Sequence, residues 1–175
     1  EAERVARSTG TSAAAALEGL QVPGFAQAKA LAPLLPVYLQ ALLLGSPDGR
    51  EAAADGIHDL VCIASTSALR PSVVGITGPL IRVVGDKFAA GVKAAILRAL
   101  GALVTRGGVG MRPFVPQLQT TFLKCLHDGS GTVRMRAARA LGRLAALSPR
   151  VDALVTDLAA GAGTAEGGVL AATLA

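Results

Sequence analysis

The sequence has no Trp, one Tyr, four Phe, two His and two Cys in 175 residues. With aromatics at 3%, it offers no platform on which RNA bases could stack. Any contact with RNA would therefore be to phosphate, and strongly salt-dependent. Two His are too few for the repeated His–Glu pairs that iron-binding repeat enzymes need, so neither a metal nor another cofactor is expected. Cys62 and Cys125 are too far apart for a zinc signature and too few for a disulfide framework, and read as reduced thiols. Charged residues are only 17% while apolar residues are 51%, the opposite of a disordered composition. Long apolar runs are also missing. The best, Leu31 to Leu44, is short and carries Pro33 and Pro36, so no membrane span is expected. No basic-then-apolar leader follows Glu1, and both ends read as cut from something longer.

Alanine is abundant instead, 35 residues of it, and apolar residues recur at helical spacing with no sustained period-two alternation. Three segments superpose: LAPLLPVYLQALLL from Leu31, LRPSVVGITGPLIRVV from Leu69 and MRPFVPQLQTTFLKCL from Met111. Each places Pro near its start, at Pro33, Pro71 and Pro113, where a helix tolerates the missing N–H. A second helix follows each one. Aligning Arg50, Lys93 and Arg134 brings Ile57, Leu100 and Leu141 into one register, and Leu60, Leu103 and Leu144 into the next. Short polar breakers separate the paired helices, and Gly107, Gly108 and Gly110 read as a helix cap and turn, not a phosphate loop. A period of about 40 residues made of two antiparallel helices predicts an all-α solenoid of HEAT/armadillo-type hairpins. The expected repeats lie at about 30–65, 68–107 and 111–147, with a partial N-terminal piece over 1–29 and a degenerate repeat over 150–175.

The net charge of +5 conceals a segregation. From Arg70 to Arg150 there are 13 Lys/Arg against Asp86 and Asp128, a block of +11, while the rest of the chain carries −6. Arg50, Lys93 and Arg134 follow the loop acids Asp48, Asp86 and Asp128 at the start of each second helix. These six residues read as a structural ladder between repeats, since half-buried cations need partners. Five and nine residues further on stand Asp55 and Asp59 in the first repeat, Arg98 and Ala102 in the second, and Arg139 and Arg143 in the third. Arg136, Arg139 and Arg143 lie within about 60° of one another on a helical wheel. Stacked repeats turn Arg98, Arg136, Arg139 and Arg143 into a candidate binding stripe for acidic protein or RNA phosphate.

No catalytic constellation emerges. His58 and Cys62 are one turn apart with no third group to orient the imidazole, and read as a half-exposed His beside a buried thiol. Cys125 and His127 do not share a helix face. Glu51, Asp55 and Asp59 read as a solvated acidic face rather than paired catalytic carboxylates.

The runs ALRPSVVGITGPLIRVVGDKF from Ala68, VKAAIL from Val92 and RPFVPQLQTTFLKCL from Arg112 closely resemble the general control non-derepressible translational activator family. The VPGF at Val22, GSP at Gly45 and VDALVTDL at Val151 fit the same stretch in order, whereas Glu1 to Leu20 matches poorly. The resemblance implies a piece of the C-terminal part of a very large cytosolic HEAT protein. Such proteins are non-catalytic, sit on stalled or collided ribosomes, and activate the initiation factor 2 alpha kinase, through its RWD domain, during amino-acid starvation. It implies neither a membrane nor a small-molecule substrate. The rival expectation is a generic HEAT transport or assembly adaptor.

Overall fold

A computed structural model describes residues 22–85 and 87–147, together with Thr156. Six main helices run along the described residues: α1 (Leu35–Leu44), α2 (Pro47–Ile63), α3 (Val73–Val83), α4 (Ala90–Gly107), α5 (Val115–Cys125) and α6 (Gly131–Ala145). They pair as α1–α2, α3–α4 and α5–α6, and no strand occurs among the described residues. The degenerate repeat expected over 150–175, most of the piece over 1–29, and Asp86 lie outside the described residues.

Local chemistry explains the boundaries. The Ser46 hydroxyl caps α2 by accepting from Gly49 N–H at 3.2 Å, with Pro47 behind it and Asp48 in the first turn. Pro71 and Pro113 sit in 3₁₀ turns, Arg70–Ser72 and Gly108–Phe114, and the α-helices begin two residues later at Val73 and Val115. The prolines thus lead into their helices instead of occupying the first α-turn. A 3₁₀ approach lets the ring precede the first residue that needs an i−4 partner. At the far end of α4, Gly108 turns the chain with φ +53°, a conformation costly for any residue with a Cβ.

Packing divides the molecule into two layers. In the second-helix layer, α2 packs along α4 and α4 along α6, each over most of its length. Ile57, Leu60, Leu100, Leu103, Leu141 and Leu144 of these helices are all buried in the core, each contributing about 1.5–3 kcal/mol by removal from water. In the first-helix layer α1 meets α3 more lightly, and α5 reaches its predecessor through the Gly108–Phe114 turn. Small side chains are frequent in the second helices, where Ala53, Ala54, Ala95, Ala99, Ala102, Ala137 and Ala140 are all buried and allow close packing. Within the first repeat, the Tyr38 ring lies against Gly56, in space that a Cβ would occupy.

Ala90–Cys125 has the length and hydropathy of a membrane span, but 56% of its most apolar window is buried inside the protein. It comprises two helices, α4 and α5, joined by the 3₁₀ turn. Its apolar residues serve the core.

Candidate partner-binding face

The ladder positions come first, because they set the spacing of the helices that carry the face. At the start of α2, Arg50 donates from Nε to the Gly45 carbonyl (2.8 Å) and from Nη1 to the Leu42 carbonyl (2.6 Å), closing the end of α1. Its guanidinium also stacks over the Phe88 ring of the next repeat, 4.8 Å from the centroid. Lys93, at the equivalent place on α4, reaches forward to Asp128 Oδ2 at 2.7 Å, with both side chains largely buried. Arg134, at the start of α6, donates to the carbonyls of Asp128 (2.9 Å) and Gly129 (3.1 Å). Asp48 stays exposed in the first turn of α2, where it favours the helix N-terminus.

Desolvation pushes the Asp128 carboxyl upward, but hydrogen bonds from Lys93 and the Ser130 N–H outweigh it. Its pKa lies below the ordinary value. A further bolt joins adjacent repeats where Arg106 Nη2 donates to the Ala64 carbonyl at 2.6 Å.

The second-helix layer carries the charged face, and its two crossings differ. Where α2 meets α4, Arg98 Nη2 pairs with Asp55 Oδ1 at 2.9 Å and lies 3.8 Å from Asp59 Oδ1. Asp59 Oδ1 also accepts from His58 Nδ1–H at 3.0 Å, while His58 Nε2 lies 3.6 Å from Cys62 Sγ. The acids expected to be merely solvated are therefore partners of Arg98. His58 is 5% exposed, not half-exposed: the i+4 position that brings it to Cys62 also turns it beneath the helix contact. Burial pushes its imidazole below the ordinary value, against the opposing pull of the Asp59 hydrogen bond.

Where α4 meets α6, the geometry is alike and the chemistry is not. Arg136 is half-buried, Arg139 and Arg143 are exposed, and none of the three pairs with a carboxylate among the described residues. Burial and the neighbouring Arg98 and Arg139 depress the Arg136 pKa, with Asp55 opposing and Arg143 adding to the effect. The depression records burial first and neighbouring like charge second, and the guanidinium keeps its proton. The Arg143 guanidinium lies over Gly101 of α4, where an added Cβ would stand 3.1 Å from Nη1. Glu51 does the same at the other crossing, its carboxylate resting on Gly91.

The candidate stripe thus splits. Arg98 is engaged by the acids of the preceding repeat, while Arg136, Arg139 and Arg143 have no carboxylate partner among the described residues. The missed signal lay in the repeat alignment, since opposite charges at equivalent positions of adjacent repeats must meet once the repeats stack. A cleft of about 230 Å³ lies here, lined by Glu51 and Asp55 of α2, by Gly91, Ala94, Ala95 and Arg98 of α4, and by Thr132 and Arg136 of α6. Among the described residues no group of three or more His, Cys, Asp or Glu is arranged to hold a metal ion. The three-residue arginine edge can bind anions; nothing in it supplies a nucleophile.

Comparison with known proteins agrees with this architecture. Residues 90–144, which span α4 to α6, match the HEAT-like repeat family. Protein ILITYHIA of Arabidopsis thaliana is 52% identical over 153 residues, covering 87% of this chain and 6% of that protein. Stalled ribosome sensor GCN1 of Homo sapiens is 47% identical over 142 residues, 81% of this chain and 5% of that protein. eIF-2-alpha kinase activator GCN1 of Saccharomyces cerevisiae is 47% identical over 146 residues, 83% of this chain and 6% of that protein. The chain therefore spans about one-twentieth of the length of these relatives. By repeat architecture and by sequence, it belongs to the general control non-derepressible translational activator family, as a stretch of its helical repeats.

Proposed function

We propose that this chain is a non-catalytic scaffold segment whose α6 arginine edge docks the initiation factor 2 alpha kinase or the ribosome, in support of kinase activation and translational control in the cytosol. The observation that carries this reading is the open edge itself. Arg136, Arg139 and Arg143 project from one side of α6 with no carboxylate partner among the described residues, beside a crossing where the equivalent arginine is neutralised. Relatives bearing the names stalled ribosome sensor and eIF-2-alpha kinase activator supply the two candidate partners, with the kinase's RWD domain as the expected contact. Arg50, Lys93, Asp128 and Arg134 are read as structural, holding the helix ends at fixed spacing. The decisive experiment reverses charge at Arg139 and Arg143 in the full-length protein. Kinase pull-down or ribosome co-sedimentation should fall while helicity by circular dichroism is unchanged. If both associations persist at wild-type level, the edge is solvated surface only.

A further inference from the structure

We infer that the outer side of α1 is a docking strip for one amphipathic helix of a partner protein. That helix carries apolar residues at spacings of three and four, and acidic residues along the flank that lies toward α3. The strip belongs to the first-helix layer and does not depend on the α6 edge.

The repeat register isolates it. Leu35, Val73 and Val115 are equivalent and buried, as are Leu42, Leu80 and Phe122, so the three first helices superpose without a gap. In that register Val37, Gly75 and Gln117 are all exposed, and so are Leu44, Arg82 and Lys124. α3 packs on α1 before it and on the Gly108–Phe114 turn after it, yet these positions stay in solvent there. They are therefore outward positions of the layer, not a seam that a preceding repeat would cover. The second and third repeats fill them with glycine, glutamine and cations. The first fills them with large apolar side chains and leaves Val37 65% and Leu44 76% exposed. Solenoid packing does not require those side chains, since two repeats do without them.

Leu34 and half-buried Ala41 complete the row, giving spacings of three, four and three within about 80° of one another. That is the seam one helix offers to one other helix. Charge sets the character of the partner. α1, α3 and α5 contain no acid, and Arg82 is exposed in the last turn of α3, one repeat along from Leu44. Arg70 is exposed where the chain approaches α3. Packed helices stand about 8–10 Å apart, so glutamates on the flank of a helix lying on α1 would reach these guanidiniums. RNA would meet the cations but gain nothing from the apolar row. A lipid surface calls for a broad apolar face, whereas this row is narrow and has exposed Gln40 beside it. Apolar burial and charge complementarity together fit an acidic amphipathic helix.

The test measures binding of the full-length protein to labelled probes by fluorescence anisotropy. The first is a helical peptide with four leucines at spacings of three, four and three and glutamates on one flank. The second has lysines in place of the glutamates, and the third is a short RNA duplex. Vesicles containing phosphatidylserine are tested by co-sedimentation. The glutamate-flanked peptide should bind tightest. Val37→Gln with Leu44→Lys gives α1 the residues that the third repeat already holds, so helicity and melting should not change. Affinity for that peptide should nonetheless fall at least about tenfold. Arg82→Glu should weaken the glutamate-flanked peptide and strengthen the lysine-flanked one. The proposal is overturned if the double variant binds the glutamate-flanked peptide as the wild type does, or if the wild type binds both peptides equally. It is also overturned if the duplex or the vesicles bind more tightly than the peptide, or if the double variant converts a dimer into a monomer, which would assign the strip to a second copy. These variants leave Arg139 and Arg143 in place, so kinase or ribosome association through α6 stands or falls separately.

Discussion

The crossing of α2 with α4 and the crossing of α4 with α6 are built on the same plan, with leucines at matching heights and alanines between them. At the first, an arginine meets two aspartates and is paired. At the second, three arginines meet none among the described residues. The shared apolar seam sets how closely the repeats stack. The differing polar edge sets what the stack offers to others. A repeat protein can thus vary its surface chemistry from one repeat to the next without changing its packing, because apolar and charged residues occupy different sides of the same helix.

The most damaging substitution removes packing that the two crossings share. Leu100 is fully buried in α4, the helix common to both, so Leu100→Ala should cost about 2–5 kcal/mol in chemical denaturation. Loss of less than about 1 kcal/mol would mean that the seam is not the common foundation. A milder change makes the first crossing resemble the second. Asp55→Asn with Asp59→Asn leaves half-buried Arg98 without its counter-charges, and should destabilise the chain by about 1–2 kcal/mol, discounted for solvent screening. That double variant should also increase retention on an anionic resin.

The reverse change should be nearly silent in stability. Arg139→Glu places a carboxylate four residues before Arg143 and three after Arg136, so stability should stay within about 0.5 kcal/mol of wild type or rise slightly. Anion retention should nonetheless drop. A large destabilisation would show that Arg139 serves the fold, not the surface. The finest distinction is by pH. His58 belongs to the first crossing alone, and its folded pKa is depressed, so its contribution is present above the ordinary value of 6.5 and is lost as pH falls through the folded value. Asp128 is also depressed, and its contribution is lost only lower, as pH falls below its ordinary 3.8. Denaturation midpoints should therefore decline as pH drops below 6.5 in the wild type, and flatten there in His58→Gln.

Much of the fold was legible in residue order. The prolines at 33, 71 and 113 mark where each first helix begins to within two residues, because the ring is best tolerated near a helix start, although Pro79 lies inside α3. The registers of Ile57, Leu100 and Leu141, and of Leu60, Leu103 and Leu144, mark the buried seam, because only a face repeated at helical period can stay dry. The face was half legible. The wheel grouped Arg136, Arg139 and Arg143, since they share one helix and helical geometry is local. It also counted Arg98 with them; Arg98 does lie near Arg136, but it pairs with Asp55 and Asp59 from a different helix, which no wheel displays. Nor could the wheel foresee that His58 would be buried, that Arg50 would reach Phe88 of the next repeat, or that Lys93 would choose Asp128.

What the sequence determined by itself is therefore whatever depends on distance along one chain segment: helix starts, the apolar period, and the charge carried by each helix. The tertiary structure decided which charges cancel and which remain open. Coulomb attraction and hydrogen bonding act across the few ångströms between neighbouring helices, and that distance is set by buried alanine and leucine, not by position in the sequence. The modest net charge of the chain says little about its surface, because pairing removes Arg98 and leaves the edge of α6 exposed.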